Sequence, residues 1–533
     1  VMANAKNDKW YWVLENVEGR GVTDNTTVTC RGGAKPDGTG CDTDLTIEAA
    51  DVPLDDMLKN SLTPAGQRAW EELQPQGRVD FTAHVKKHFD EAVPQIEVVL
   101  RPQGHTVSID PRLFPYRLEQ IQGQAVYQRN HVQLLKIAAQ HDRTLYSVES
   151  GTWDVTQDGG WQLAFKNLTA DRLSMGRDLV VALPPGLRSI IERFQPSGTF
   201  ALYNSSLSIT KSPQFAGLAS AWDVNLECQQ AAIQGAAPLR GVTGGVHLVG
   251  RSDGRTAVTA GELALDSLLW NDVQLTNVRG PLWTDSSHFL LGEPACLQEN
   301  QPARRVTADA YGGSVAANIE LLHDMNPSYK LDLHLGGVSL ARFVHERLGG
   351  PTDMSGMVSG NLAVSGTGQT VQTLSGGGEM HLVNGNIYQL PPLVAILKLL
   401  SSRPPSTTAF NRCDVKFAVQ GEHVHFEQLN LLGDAVSLYG NGDADFNRKL
   451  KLVFYTLIGP ADLPIPLWKT IAGHVSQQGL QIKVVGTLDD PKVEKEPFPA
   501  VKDILGRMKG ELQDGAATMS SATASRGTRY QPR

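Results

Sequence analysis

The chain has 533 residues, 41% of them hydrophobic, with 48 Lys and Arg against 56 Asp and Glu for a formal charge of −8. At roughly 150 residues per domain this length allows three to four domains or one long repetitive body, and the apolar content excludes disorder throughout. No basic cluster supplies the footprint that a phosphate backbone needs, so nucleic acid is not an expected partner.

The chain opens on Val1 in strand-like sequence, KWYWVLENV, so an N-terminal segment preceding it is expected. Five scattered cysteines follow; only Cys30 and Cys41 are close enough in sequence for a local disulfide or a metal pair. Helices are expected over 54–73 with a break near Pro64, then over 184–194, 339–348, 391–400 and 498–512. Two of these open on a pair of prolines, which suit a helix's first turn. No run reaches the roughly 18 apolar residues of a membrane-spanning helix.

Strands are read from apolar residues at alternate positions, which share one face. The clearest phases are Trp222, Val224 and Leu226; Leu331, Leu333 and Leu335; Val415, Phe417 and Val419; Leu450, Leu452 and Phe454; and Leu480, Ile482 and Val484. Asn384-Gly385, Gly421-Glu422, Gly440-Asn441-Gly442 and Gln478-Gly479 carry residues that tolerate positive φ, and are expected as hairpin turns. The helices also mark a repeat. Leu73-Gln-Pro-Gln-Gly77 and Phe194-Gln-Pro-Ser-Gly198 each join a helix to an alternating strand, and Gly123 and Gly244 follow at equal distances. A looser third copy runs through Leu348, Pro351 and Gly356 to Leu362 and Val364. The unit is about 120 residues, and the polar tail after Gln513 is expected to be disordered.

The stretch 336–495 resembles the C-terminal region of AsmA-like proteins, the bacterial envelope family related to TamB and YhdP. The resemblance rests on GMVSGNLAVSGTG (356–368), LSGGGEMHLVNGNIYQLPPLVAILKLL (374–400), FNRCDVKFAVQGEHVHFEQLNLLGDAVSLYGNGDADF (410–446) and VVGTLDDPKVE (484–494). It implies a long curved β-sheet with an apolar groove, a place in the periplasm or cell envelope, and a part in moving phospholipid between membranes. It also implies attachment to the inner membrane through an N-terminal anchor, which is expected in a segment preceding Val1.

Signals of other chemistry are weak. The phosphate loop GxxxxGK[ST], the HExxH zinc motif and the GxSxG elbow do not occur. His84 with His88, and His423 with His425, could each share a face but lack a third ligand in register, so solvated surface is the better reading. The acidic runs 35–44 and 440–446 depart from calcium-loop spacing. No catalytic residue, metal or cofactor is expected, and the protein is read as non-enzymatic.

The expected fold class is therefore mainly β with short helices: a long curved antiparallel sheet, a repeating β-groove, with flanking helices. The expected modules are two β-rich repeats at 1–165 and 166–335, an AsmA-like region with an inserted helix at 336–495, and a helix with its tail at 496–533. The fifteen alternating residues named above are the candidate groove lining, each of which a closed sandwich would bury as ordinary core instead. The expected partners are phospholipid and membranes at the ends of the groove. The alternative is a scaffold that binds envelope proteins along a sheet edge, and helix 391–400 could instead lie on a membrane surface.

Overall fold

The structure, a computed structural model, describes residues 2–6, 9–21, 25–37, 40–156, 158–213, 217–234, 238–292, 304–323, 327–348, 354–368, 370–387, 390–400, 410–433, 436–458 and 480–497. It is mainly β: a long antiparallel sheet accompanied by short helices. The chain divides into two compact units, one of residues 1–310 and 316–325 and one of 311–315 and 326–533.

In the first unit, β1 (Met2–Lys6), β2 (Lys9–Arg20), β3 (Thr27–Asp37) and β4 (Gly40–Pro53) lead to helices α1 (Asp56–Ser61) and α2 (Pro64–Leu73). Next come β5 (Arg78–Lys87), β6 (Gln95–Pro102), β7 (Glu119–Gln128), β8 (His131–His141), β9 (Thr144–Val155) and β10 (Trp161–Leu173). Helices α3 (Arg177–Ala182) and α4 (Pro185–Phe194) precede β11 (Pro196–Lys211), β12 (Leu218–Ile233), β13 (Leu239–Ser252), β14 (Ala257–Trp270) and β15 (Val273–Thr284). The short β16 (His288–Leu291) and β17 (Val306–Ala310) both pair with β15, at different levels, and β18 (Gly313–Leu322) pairs with β16. From β1 to β15 every strand pairs antiparallel with the next in sequence.

The second unit follows the same plan. β19 (Ser328–Ser339), helix α5 (Leu340–Leu348), β20 (Ser355–Thr367), β21 (Ser375–Asn386), helix α6 (Pro391–Leu400) and β22 (Arg412–Gln420) come first. β23 (His423–Leu432), β24 (Val436–Asp445), β25 (Lys449–Ile458), β26 (Leu480–Thr487) and β27 (Pro491–Pro497) complete it, each pairing with its sequence neighbour.

The repeat is visible in the backbone. Helices α2 and α4 each have Pro at the first position and end on a glutamine in the left-handed conformation, Gln74 and Gln195. Gly77 and Gly198 then take φ of 112° and 104°, and Gly123 and Gly244 take 114° and 108°. Gly198 follows Gly77 by 121 residues (198 − 77), the spacing that also separates Gln74 from Gln195 and Gly123 from Gly244. Gly356, in the looser third copy, takes φ of 131° at the start of β20. A left-handed backbone costs any residue with a Cβ, so the same bends are set by the same positions in each copy.

Gly421 does turn β22 into β23, with φ of 59°. Gly440-Asn441-Gly442 instead lies inside β24, and Asn384-Gly385 near the end of β21, where Asn384 is left-handed with φ of 51°. Gly440 is a strand glycine because the ring of Phe454 lies over it, and a Cβ there would come within 2.5 Å of that ring. Helix α3 was not signalled by the sequence. The helix expected at 498–512 and the turn at Gln478-Gly479 lie outside the described residues. Among the described residues, no helix is long and apolar enough to cross a membrane.

Candidate functional site

Residues directly opposite in an antiparallel pair point to the same side of the sheet, so the strand registers trace rows of side chains across many strands. In the second unit these rows collect the sequence candidates on one face. Leu331, Val364, Gly376, Val419 and Val424 form one row; Leu333, Leu362, Gly378, Phe417, Phe426, Gly442, Leu452 and Val484 form the next. Leu335, Gly360, Met380, Val415, Leu429, Gly440, Phe454 and Ile482 form a third.

Burial then divides the candidates. Leu452, Phe454, Ile482 and Val484 are interior, the last two with no exposed surface, in a cluster with Leu393, Ile396 and Leu397 of α6 and with Phe410. Val415 and Leu450 pack against that cluster. The expectation that these positions form accessible groove wall is corrected: an almost wholly apolar helix lies on this part of the face and its side chains fill the space. The same packing answers the suggestion that α6 rests on a membrane surface, since Leu393, Ile396 and Leu397 are turned into the core. Leu480 lies in β26, with a side chain outside the described set. Val419 is buried, while Leu331, Leu333, Leu335 and Phe417 are half-buried and belong to none of the three core clusters.

The first unit shows the same division. Trp222 is core beneath α4, packed with Ile190 and Ala257, and Val224 flanks it. Leu226 borders a second cluster built from Ala170, Leu173, Phe200 and Cys228, against which Met175 and Leu179 also pack. These three candidates are therefore largely helix-covered. Away from the helices an apolar area remains open that alternation in β12 did not point to. The registers join Ala83, Val98, Tyr127, Val132, Trp153, Leu163 and Ile209 in one row, and Phe81, Leu100, Ala125, Leu134, Gly151, Phe165 and Leu207 in the next. Only Ala83 and Gly151 of these are buried, and of the fourteen only Leu207 touches a core cluster. The sequence signal was present in Trp161, Leu163 and Phe165 of WQLAF, and weak in VVL (98–100), where alternation breaks.

The opposite face is polar. His131 donates to Asp154 at 2.6 Å and His381 to Asp414 at 2.8 Å, each pair directly opposite in register. His425 likewise donates to Asp443 at 2.8 Å, which bears out its assignment to the solvated side. His84 lies 3.2 Å from the Thr46 hydroxyl, and His88 pairs with Asp90. The Asp90 hydrogen bond raises the His88 pKa above its ordinary value. Cys30 faces Ile47 and Cys41 faces Pro36, six residues further along β4's partner; neither is in a disulfide. At about 3.3 Å per strand residue that places the two roughly 20 Å apart, beyond bridging distance.

Compared with known protein families, the chain matches no family model, and compared with curated proteins it finds no match.

Proposed function

We propose that the protein is a non-enzymatic, AsmA-like envelope protein that shields phospholipid acyl chains on the open apolar face of its sheet. The observation that carries this reading is the row from Ala83 to Ile209, which crosses seven strands, is half-buried from Val98 to Ile209 and has no member in any of the three core clusters. With strands about 4.8 Å apart the row runs roughly 30 Å. One leaflet of a bilayer has about 15 Å of hydrocarbon, so the row offers room for an extended acyl chain. Exposing a two-chain lipid of ~30 methylenes to water costs roughly 25 kcal/mol at about 0.8 kcal/mol per CH₂, and an apolar wall offsets most of that without any catalytic group. The half-buried Leu331, Leu333 and Leu335 extend the same chemistry to the second unit.

Native mass spectrometry of gently purified protein tests the reading. Bound phospholipid is expected in the wild type and lost in Trp153→Asp/Leu163→Asp, with Gln162→Glu on the opposite face as the control. A lipid-free wild type, or a double variant that folds and retains lipid, would reject it. The scaffold alternative gains little from β27, whose sequence Pro-Lys-Val-Glu-Lys-Glu-Pro has the prolines and charges that discourage strand addition at an edge.

A further inference from the structure

A second feature of the first unit lies where the β8–β9 turn meets α3. His141 ends β8, Asp142 stands in the two-residue turn to Thr144 with φ of 50°, and Asp178 is in the first turn of α3. Their ligand atoms converge: His141 Nε2 lies 3.8 Å from Asp142 Oδ2 and 3.9 Å from Asp178 Oδ2. The three line a cavity of about 400 Å³.

The imidazole is held for this. Its Nδ1 donates to the Arg117 carbonyl at 2.6 Å, which leaves the lone pair on Nε2 facing the two carboxylates. Its ring stacks on Tyr116 with centroids 3.9 Å apart, and the Tyr116 hydroxyl is tied to that of Tyr146 at 2.7 Å. A backbone carbonyl that accepts from a histidine's other ring nitrogen is a usual outer support for a metal-ligating imidazole. With Nδ1–H committed to the carbonyl, Nε2 is left either to carry a proton to the two carboxylates or to ligate a cation held between them. The histidine side chain is 17% exposed, whereas those of Asp142 and Asp178 are 84% and 71% exposed. Zinc bonds nitrogen and oxygen at about 2.0–2.2 Å, so tetrahedral ligand pairs lie about 3.4 Å apart. Small rotations of two exposed carboxylates close the remaining gap.

We propose that His141, Asp142 and Asp178 bind one divalent transition cation of the Zn²⁺ type, with water in the remaining positions. One imidazole and two carboxylates form a donor set for Zn²⁺ or its first-row neighbours. Arg143 and Arg172 also line the cavity and oppose a cation, but Arg172 is turned toward Asp171 at 3.2 Å. The site is distinct from the apolar rows and stands or falls without them.

The test is Zn²⁺ titration of the metal-stripped full chain by calorimetry, with Co²⁺ absorption as the signature of ligation. One equivalent is expected to bind to the wild type. Asp178→Asn and Asp142→Asn, isosteric and exposed, are each expected to weaken it about tenfold or more, while His131→Ala on the polar face leaves it unchanged. Unchanged melting temperatures of the metal-free variants verify folding. No binding by the wild type, or binding that survives both Asp substitutions, overturns the proposal. Loss on His131→Ala does so too, because the ion would then sit among surface histidines.

Discussion

Trp222 lies across Gly250 on the adjacent strand, and a Cβ at Gly250 would come within 2.5 Å of the indole and 2.6 Å of the Val258 carbonyl. Gly250→Ala is therefore expected to destabilise the protein by about 1–3 kcal/mol through overpacking, measured by urea denaturation. Gly245→Ala on the same strand, where the nearest atom is 3.6 Å away, is expected to fall within about 0.5 kcal/mol of wild type. Such glycines show how far single residues were legible. Alternation placed Trp222 and Phe454 on the right strands, but glycine accepts both turns and strand interiors, so only the facing ring distinguished Gly440 from a turn. Burial pushes the Cys413 thiol up to about 12 and the Cys228 thiol up to about 11. The thiolate is the reactive form, so iodoacetamide at pH 8 is expected to modify Cys30 and Cys41 first and to spare Cys228 and Cys413 until unfolding, as peptide mass spectrometry would show. Asp253 accepts from the Thr256 and Arg255 amides in the β13–β14 turn, which holds its carboxyl below the usual range. Its contribution is present above the unfolded value of about 3.9 and lost as pH falls through the lower folded value. Asp253→Ala should therefore lower the urea midpoint at pH 7 and leave it nearly unchanged near pH 2.

At the scale of elements, helix α6 decides which part of the second unit's apolar face is closed. Ile396 has no exposed surface and sits among Leu452, Phe454, Ile482 and Val484, so Ile396→Ala is expected to cost about 2–5 kcal/mol in denaturant titration. The proline pair and apolar run made α6 legible as a helix. Its docking was not legible, because a helix that is apolar but for Lys398 suits a protein core and a membrane surface alike until its neighbours are known. Helix α4 plays the same part over Trp222, and α3 escaped notice because six residues, Arg177–Ala182, are too few to establish a helical period.

For the whole molecule, two compact units built from sequential hairpins predict unfolding in more than one step. Scanning calorimetry should give a van't Hoff enthalpy below the calorimetric one, and a single two-state transition would contradict the division. By itself the sequence determined the mainly antiparallel β class, the phase of the five alternating strands it singled out, the helices that open on prolines and a repeat of about 120 residues. These are local matters: side-chain period, proline, and glycine at positive φ act within a few residues. The tertiary structure alone decided which alternating residues are interior and which remain open, since that depends on helices docking from distant sequence. It alone brought His141 and Asp142 to Asp178, because a hairpin turn and a helix start more than thirty residues later meet only once the strands between them have paired.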